Sequence, residues 1–306
     1  MSPQPRRPAG TPAGGQFAPT WRPEAEGISL VDETMLASPE LVRARRVLLK
    51  GLRVLAPQRE AIALIGAQAV YEHTASIASI PATLTTDGDT CVIPQYAVVG
   101  FDIGQALTDA GFTTHPDRPG IWGIDIDGER VALDLLVPEA LAGPGRRGAR
   151  VPGQNKRAIG RAPGLELVVV DRELRTLAAL DGSGDAVDAY VAGPAALLCA
   201  KAHKLMERIG ERDRGGRNRV KEKDAGDAWR LMSVSDPSVV SKTFADGTND
   251  QVIGSAVALG RNYLIELFAP EGDGLALAVR DLGRYTDERS ITAVTGSWME
   301  AFRATA

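Results

Sequence analysis

The sequence predicts an α/β (α+β) fold: a mixed sheet flanked by helices, with a helical subdomain on its C-terminal side. Short apolar runs alternate with helical patterns through residues 38–180. Within that span, "GIWGIDIDGERVALDLLVP" shows apolar alternation on both sides of Asp127-Gly128, the signature of a two-residue hairpin. From Gly193 onward the strand-like runs stop and helical patterns follow. A chain of 306 residues with 44% hydrophobic content has the length and apolar material for one large domain or two ordinary ones.

Residues 1–37 are rich in Pro, Gly and Ala and have no hydrophobic period, so a disordered tail is expected there: too little apolar surface is available to offset ordering. Ser38 is a candidate N-cap for a helix that starts at Pro39 and carries Leu41, Val47, Leu48 and Leu52 as its apolar stripe. "AIALIG", ended by Gly66, fits a buried strand, and "AQAVYEHTASI" can begin a helix. "ATLTTDGDTCVIP" alternates like a strand, and "QYAVVGFDIGQALTDAG" has helical character up to Gly111. After the hairpin come a basic loop and a further expected strand, "LELVVV". These elements make an α/β domain of residues 38–180. Residues 181–306 are the helical subdomain, with Pro194 opening "GPAALLCAKAHKLMERI" and further helices at "KDAGDAWRLM", "QVIGSAVALGRNYLIELF" and "RSITAVTGSWMEAFRA".

Composition narrows the function classes. No apolar run approaches the roughly 20 residues that span a bilayer, and the start lacks the apolar stretch of a signal peptide, so a cytoplasmic protein is expected. Cys91 and Cys199 both stand in apolar segments and read as buried thiols, and two cysteines are too few for a cysteine-based zinc site. A net charge of -4 argues against a surface coated in positive charge. The bases are nevertheless clustered: Arg146, Arg147, Arg150, Lys156, Arg157 and Arg161 stand in a stretch without acids, which suits a solvated loop or an RNA backbone.

The chemistry turns on "TTDGDT". Asp-Gly favours a turn, which would send Asp87 and Asp89 to opposite arms. On a strand, the same residues at i and i+2 face one point, where two carboxylates repel unless a cation sits between them. Asp134, inside the apolar "VALDLLVP", offers a third carboxylate, although an arginine partner or a place at the sheet rim also accounts for it. Gly66-Ala67 stands where a strand passes into a helix, and small residues there let a phosphate approach backbone N–H groups.

In this order, Gly66-Ala67, Asp87-Gly88-Asp89 and Asp134 resemble the DNA polymerase beta-like nucleotidyltransferase superfamily. A second segment resembles the AbiEii-type branch of nucleotidyltransferase toxins: Lys201 and Lys204 on a Pro-led helix, then Arg208, Lys223-Asp224 and Asp227. Together the matches cover roughly residues 60–232. The resemblance implies a Mg²⁺- or Mn²⁺-dependent enzyme that moves a nucleoside monophosphate from an NTP to an acceptor hydroxyl. It implies that Asp87, Asp89 and Asp134 hold metal and do the chemistry. Gly66, Ala67, Lys201 and Lys204 would then hold the phosphates, with Lys223 and Asp224 organising the far wall. A tRNA or other RNA docked on residues 146–161 is the acceptor the resemblance favours, with a protein hydroxyl or a small molecule such as an aminoglycoside as alternatives, and a cognate antitoxin would be a partner. Three departures from the pattern motivate an alternative, a catalytically silent binding or regulatory protein: Ala67 where Gly or Ser is usual, Gly88 between the acids, and "IPATLTT" where an arginine often stands.

Overall fold

The computed structural model describes residues 38–77 and 85–305. The expected tail of residues 1–37 lies outside the described residues, as does most of "IPATLTT". The chain from Leu36 to Ala306 is one compact unit. Its centre is a mixed sheet of eight strands, in the order β3-β4-β5-β2-β1-β8-β7 with β6 added along β5. The strands are β1 (Ile62–Ile65), β2 (Asp87–Val92), β3 (Thr113–Thr114), β4 (Ile121–Ile126), β5 (Glu129–Pro138), β6 (Gly160–Ala162), β7 (Arg172–Ala178) and β8 (Ala186–Ala192). The expected α/β class is the one observed.

Helix α1 (Pro39–Val54) starts as its sequence dictates: the Ser38 hydroxyl accepts the Leu41 N–H at 3.2 Å, and Pro39 opens the first turn. Its buried stripe lies against β2 and β5. Two glycines set how close it comes. A Cβ on Gly88 of β2 would stand 3.2 Å from Leu48, and one on Gly51 of α1 would stand 2.5 Å from Leu133. Gly88 and Leu133 are register partners, so this face of the sheet belongs to α1 and the residues on either side of them point the other way. Helix α2 (Gly66–Thr74) follows β1 without a loop, and α3 (Ile103–Asp109) starts at Asp102, whose carboxylate accepts the Gln105 N–H at 3.0 Å.

The C-terminal part contains α4 (Pro194–Asp213), α5 (Glu222–Val234), α6 (Pro237–Thr248), α7 (Gly254–Leu267), α8 (Asp273–Leu282) and α9 (Glu288–Ala304). No residue at the start of α4 caps it. Instead Asp171, just before β7, accepts the Ala196 N–H at 2.7 Å and ties the helix to the sheet. The helices close over Phe244, Trp298 and Phe302, with the Trp298 and Phe302 rings stacked at 5.1 Å.

Three expectations change. "LELVVV" is a 3₁₀ turn at Glu166–Val169 and not a strand. Leu165, Leu167 and Val168 are buried all the same, and periodicity over so few residues cannot separate the two. The helix in "QYAVVGFDIGQALTDAG" is confined to Ile103–Asp109, because Gly100 takes a left-handed φ of 86° ahead of the Asp102 cap. The sheet also runs past residue 180: β7 and β8 form an antiparallel hairpin, and β8 pairs in parallel with β1. The helical part therefore starts at Pro194.

Candidate active site

Asp87 and Asp89 lie on one strand. The turn reading of "TTDGDT" is excluded, because β2 runs through Gly88 from Asp87 to Val92. The hairpin in this half of the chain is at Asp127-Gly128, where φ is 53° and 79°, between β4 and β5. Register then assembles the site. Ile65 of β1 pairs with Asp89 of β2, and Asp89 pairs with Asp134 of β5, so three adjacent strands form one row. Asp87 stands two residues away on the same face, opposite Ala132. Three carboxylates from distant parts of the chain thus share one patch on the face away from α1.

Their electrostatics follow from crowding. Burial first, then the Asp87 charge, pushes the Asp89 carboxyl up to about 6, against the pull of Lys204, Lys201 and Lys223. Burial, then Asp89 and Asp87, pushes Asp134 up to about 8, with Arg118 and Lys204 opposing. Asp134 Oδ1 is buried and has no hydrogen-bond partner. Asp87 is better served: the Thr85 hydroxyl donates to its Oδ1 at 2.6 Å, and Gln68 Nε2 on α2 donates to its backbone oxygen at 2.9 Å.

Gly66 has the conformation that the junction requires. With φ of 69° it turns the chain from β1 directly into α2, and a Cβ there would stand 2.1 Å from Asp89 Oδ2. Backbone and carboxylate therefore touch, and Ala67 follows half-exposed in the first turn of α2. Gly66→Ala is expected to cost about 1–3 kcal/mol and to displace Asp89, through the strained φ and the clash. Urea denaturation measures this, and unchanged stability would contradict the reading of the junction.

The lysines divide into two roles, which corrects the expectation that both meet phosphate. Lys201 is buried, with Nζ 2.9 Å from Asp224 and 2.5 Å from Asp227. Burial works to lower its pKa, but the two carboxylates outweigh burial and raise it, so Lys201 is a fixed internal cation. Lys204, one turn on, lies 3.0 Å from Asp224 while 42% of its side chain stays exposed, and it is the one free to reach toward a ligand. Asp224 is wholly buried and also takes Arg208 at 2.8 Å, so it gathers three cations. Burial alone would raise this carboxyl, and the Lys201 and Lys204 charges depress it far below the usual range. Lys223 is half-buried and close enough to Asp89 to lower its pKa. Asp224 thus bears on the carboxylate patch through Lys201 and Lys204, which it holds.

Three contributors were not anticipated. Gln68 and Thr85 brace Asp87, and Arg118, on the exposed loop before β4, faces Asp134. A polar residue in the first turn of α2 pointed weakly to Gln68, and nothing local marked Arg118. The basic loop also divides. Arg157 bonds the His115 and Pro116 carbonyls, and Arg161 pairs with Glu139 at 2.9 Å, so both are structural. Arg146, Arg147, Arg150 and Lys156 are exposed. Through Arg157 this loop is fastened to the loop that carries Arg118.

Among the described residues, no group of three or more His, Cys, Asp or Glu side chains is arranged so that it could hold a metal ion as it stands. The donor chemistry nevertheless fits a hard divalent cation: only oxygen donors, mutual repulsion, and the unpartnered Asp134 Oδ1. Among the described residues, no helix is long and apolar enough to cross a membrane. Fold and site together define an α/β protein with a carboxylate row on its central strands. Comparison with family models and with curated proteins finds no match to the chain.

Proposed function

We propose that the protein is a metal-dependent nucleotidyltransferase. The observation that carries this reading is the register of Asp89 against Asp134, with Asp87 two residues along on the same face. Asp87, Asp89 and Asp134 would hold Mg²⁺ or Mn²⁺, which supplies Lewis-acid stabilisation of the charge on phosphate oxygens. The backbone N–H groups at Gly66 and Ala67, at the start of α2, cradle the outer phosphates of an NTP. Lys204 and Lys223 draw the triphosphate in, while Lys201 and Asp224 hold that wall in place. Asp134, in register beside Asp89, would accept the proton of the attacking hydroxyl as a metal-held carboxylate. The acceptor oxygen bonds to the α-phosphorus, the bond to the bridging oxygen breaks, and pyrophosphate leaves.

The test is incubation with each labelled NTP, Mg²⁺ and total cell RNA or lysate, followed by identification of what becomes labelled. The reading expects label on one macromolecule, lost in the Asp89→Asn variant. A second reading, a catalytically silent binding or regulatory protein, draws on the lack, among the described residues, of three acids already set to hold a metal and on the sequestered Lys201. It expects no Mg²⁺-dependent shift in melting temperature with any NTP.

RNA is the acceptor class favoured here, tRNA in particular, because Arg146, Arg147, Arg150 and Lys156 are exposed near the Arg118 loop. Charge reversal of Arg146, Arg147 and Arg150 to Glu is expected to weaken tRNA binding and to reduce the slope of log K against log salt by roughly 2–3. An unchanged slope would exclude this loop as the docking surface. The reading places the reaction in the cytoplasm, where NTPs, Mg²⁺ and RNA occur together, with a cognate antitoxin as the partner that would restrain it.

A further inference from the structure

Helix α4 has two working sides. Lys201, Lys204 and Arg208 face the Asp224 hub, whereas His203, Met206, Glu207 and Gly210, at i, i+3, i+4 and i+7, line a cavity of about 670 Å³ on the other flank. That volume suits a small organic ligand. Met206, Leu259 and Tyr263 supply apolar wall, and the exposed Glu139 and Glu207 stand at its mouth. Both of those acids have partners, Glu139 in Arg161 and Glu207 in Arg219. His203 is bonded through Nε2 to the Ala256 carbonyl.

Glu166 is different. It lines the same cavity at 1% exposure. One carboxylate oxygen accepts the Ala140 N–H at 3.1 Å, and the other, Oε2, is buried with no hydrogen-bond partner. A carboxylate removed from water without a counter-charge is costly, and a ligand cation is the simplest way to relieve it. The lining holds one guanidinium, the exposed Arg214, and three carboxylates, Glu139, Glu166 and Glu207.

We propose that this cavity binds a small organic cation, an alkyl- or arylammonium group whose charge answers Glu166 and whose apolar body lies on Met206, Leu259 and Tyr263. The Tyr263 ring, edge-on to His203 at 5.3 Å, adds a face that attracts an ammonium. This assignment is independent of nucleotidyl transfer and uses none of the residues of the carboxylate row.

The test is isothermal titration calorimetry of the full chain with phenethylamine and with 2-phenylethanol, which has the same body without the charge. The amine is expected to bind at least about tenfold more tightly than the alcohol. Glu166→Gln keeps an oxygen for the Ala140 amide and removes the charge, and it should bring the amine down to the level of the alcohol. Leu259→Arg, at an exposed position of the lining, adds a competing cation without touching the core and should weaken the amine too, so it carries the test if Glu166→Gln does not fold. Equal binding of amine and alcohol, no binding of the amine, or parent-chain affinity in the folded variants would overturn the proposal.

Discussion

Asp134→Asn is expected to raise the melting temperature in chelator at neutral pH while lowering the proposed nucleotidyl transfer by about 10²–10⁴. Activity and stability separate because the same crowding serves one and opposes the other. Burial and the neighbouring acids hold the Asp134 and Asp89 pKa values above those of the unfolded chain, so the ionised row is a strained arrangement. Asn neither carries the buried charge nor has to take up a proton to avoid it, so the substitution is expected to relieve on the order of 1–2 kcal/mol, a rise of roughly 2–6 °C. The pH dependence has a definite sign. With folded-state values raised, the penalty is full above them and fades as the pH falls through them. In chelator, the melting temperature of the parent should therefore climb as the pH falls from about 8 to 6, and that of Asp134→Asn should climb less. Differential scanning calorimetry across this range decides the matter. A variant less stable than its parent at pH 8 would show that Asp134 has a compensating partner.

Asp224→Ala is expected to destabilise the fold by about 3–5 kcal/mol, because it removes the buried carboxylate that three cations share and leaves a void among them. Lys201 keeps Asp227, but Lys204 and Arg208 lose their buried partner. The Asp224 pKa is depressed in the folded state, so its contribution is present above the unfolded carboxylate range and is lost only as the pH falls through the folded value. The loss should thus be uniform between about pH 5 and 8. Urea denaturation measures it, and Lys201→Met combined with Asp224→Leu separates lost attraction from a stranded charge. A double variant as unstable as the sum of the singles would mean that the two residues do not act as a pair.

How much of this was legible in the sequence depends on whether the cause was local. The Asp127-Gly128 hairpin was legible because a two-residue turn with left-handed φ carries its own grammar. Asp87-Gly88-Asp89 has the same grammar and does something else. Its glycine makes room for Leu48 of α1, a tertiary cause that no window around residue 88 contains. Asp134 was legible as a candidate from the cost of an acid in an apolar strand and as a triad member only through the resemblance to nucleotidyltransferases, whereas the register that places it beside Asp89 was not legible. Lys201 and Lys204 were correctly placed on one helix face. Their division into an internal and an outward cation follows from Asp224 and Asp227, which reach them only once α5 packs on α4. The boundary near residue 180 erred because β8 returns to the first strand of the sheet after a long excursion.

That return also orders events during synthesis. Strands β1, β2 and β5, which hold the row, are complete once residue 138 has been made, yet β1 keeps an open edge until residues 186–192 close it. The pairing spans well over a hundred residues, the kind of contact whose loop-closure entropy makes it late. Lys201, Lys204 and Lys223 emerge later still. A ribosome-bound chain therefore carries its acids before the three lysines that temper them, and that side of the site is complete only in the last third of translation.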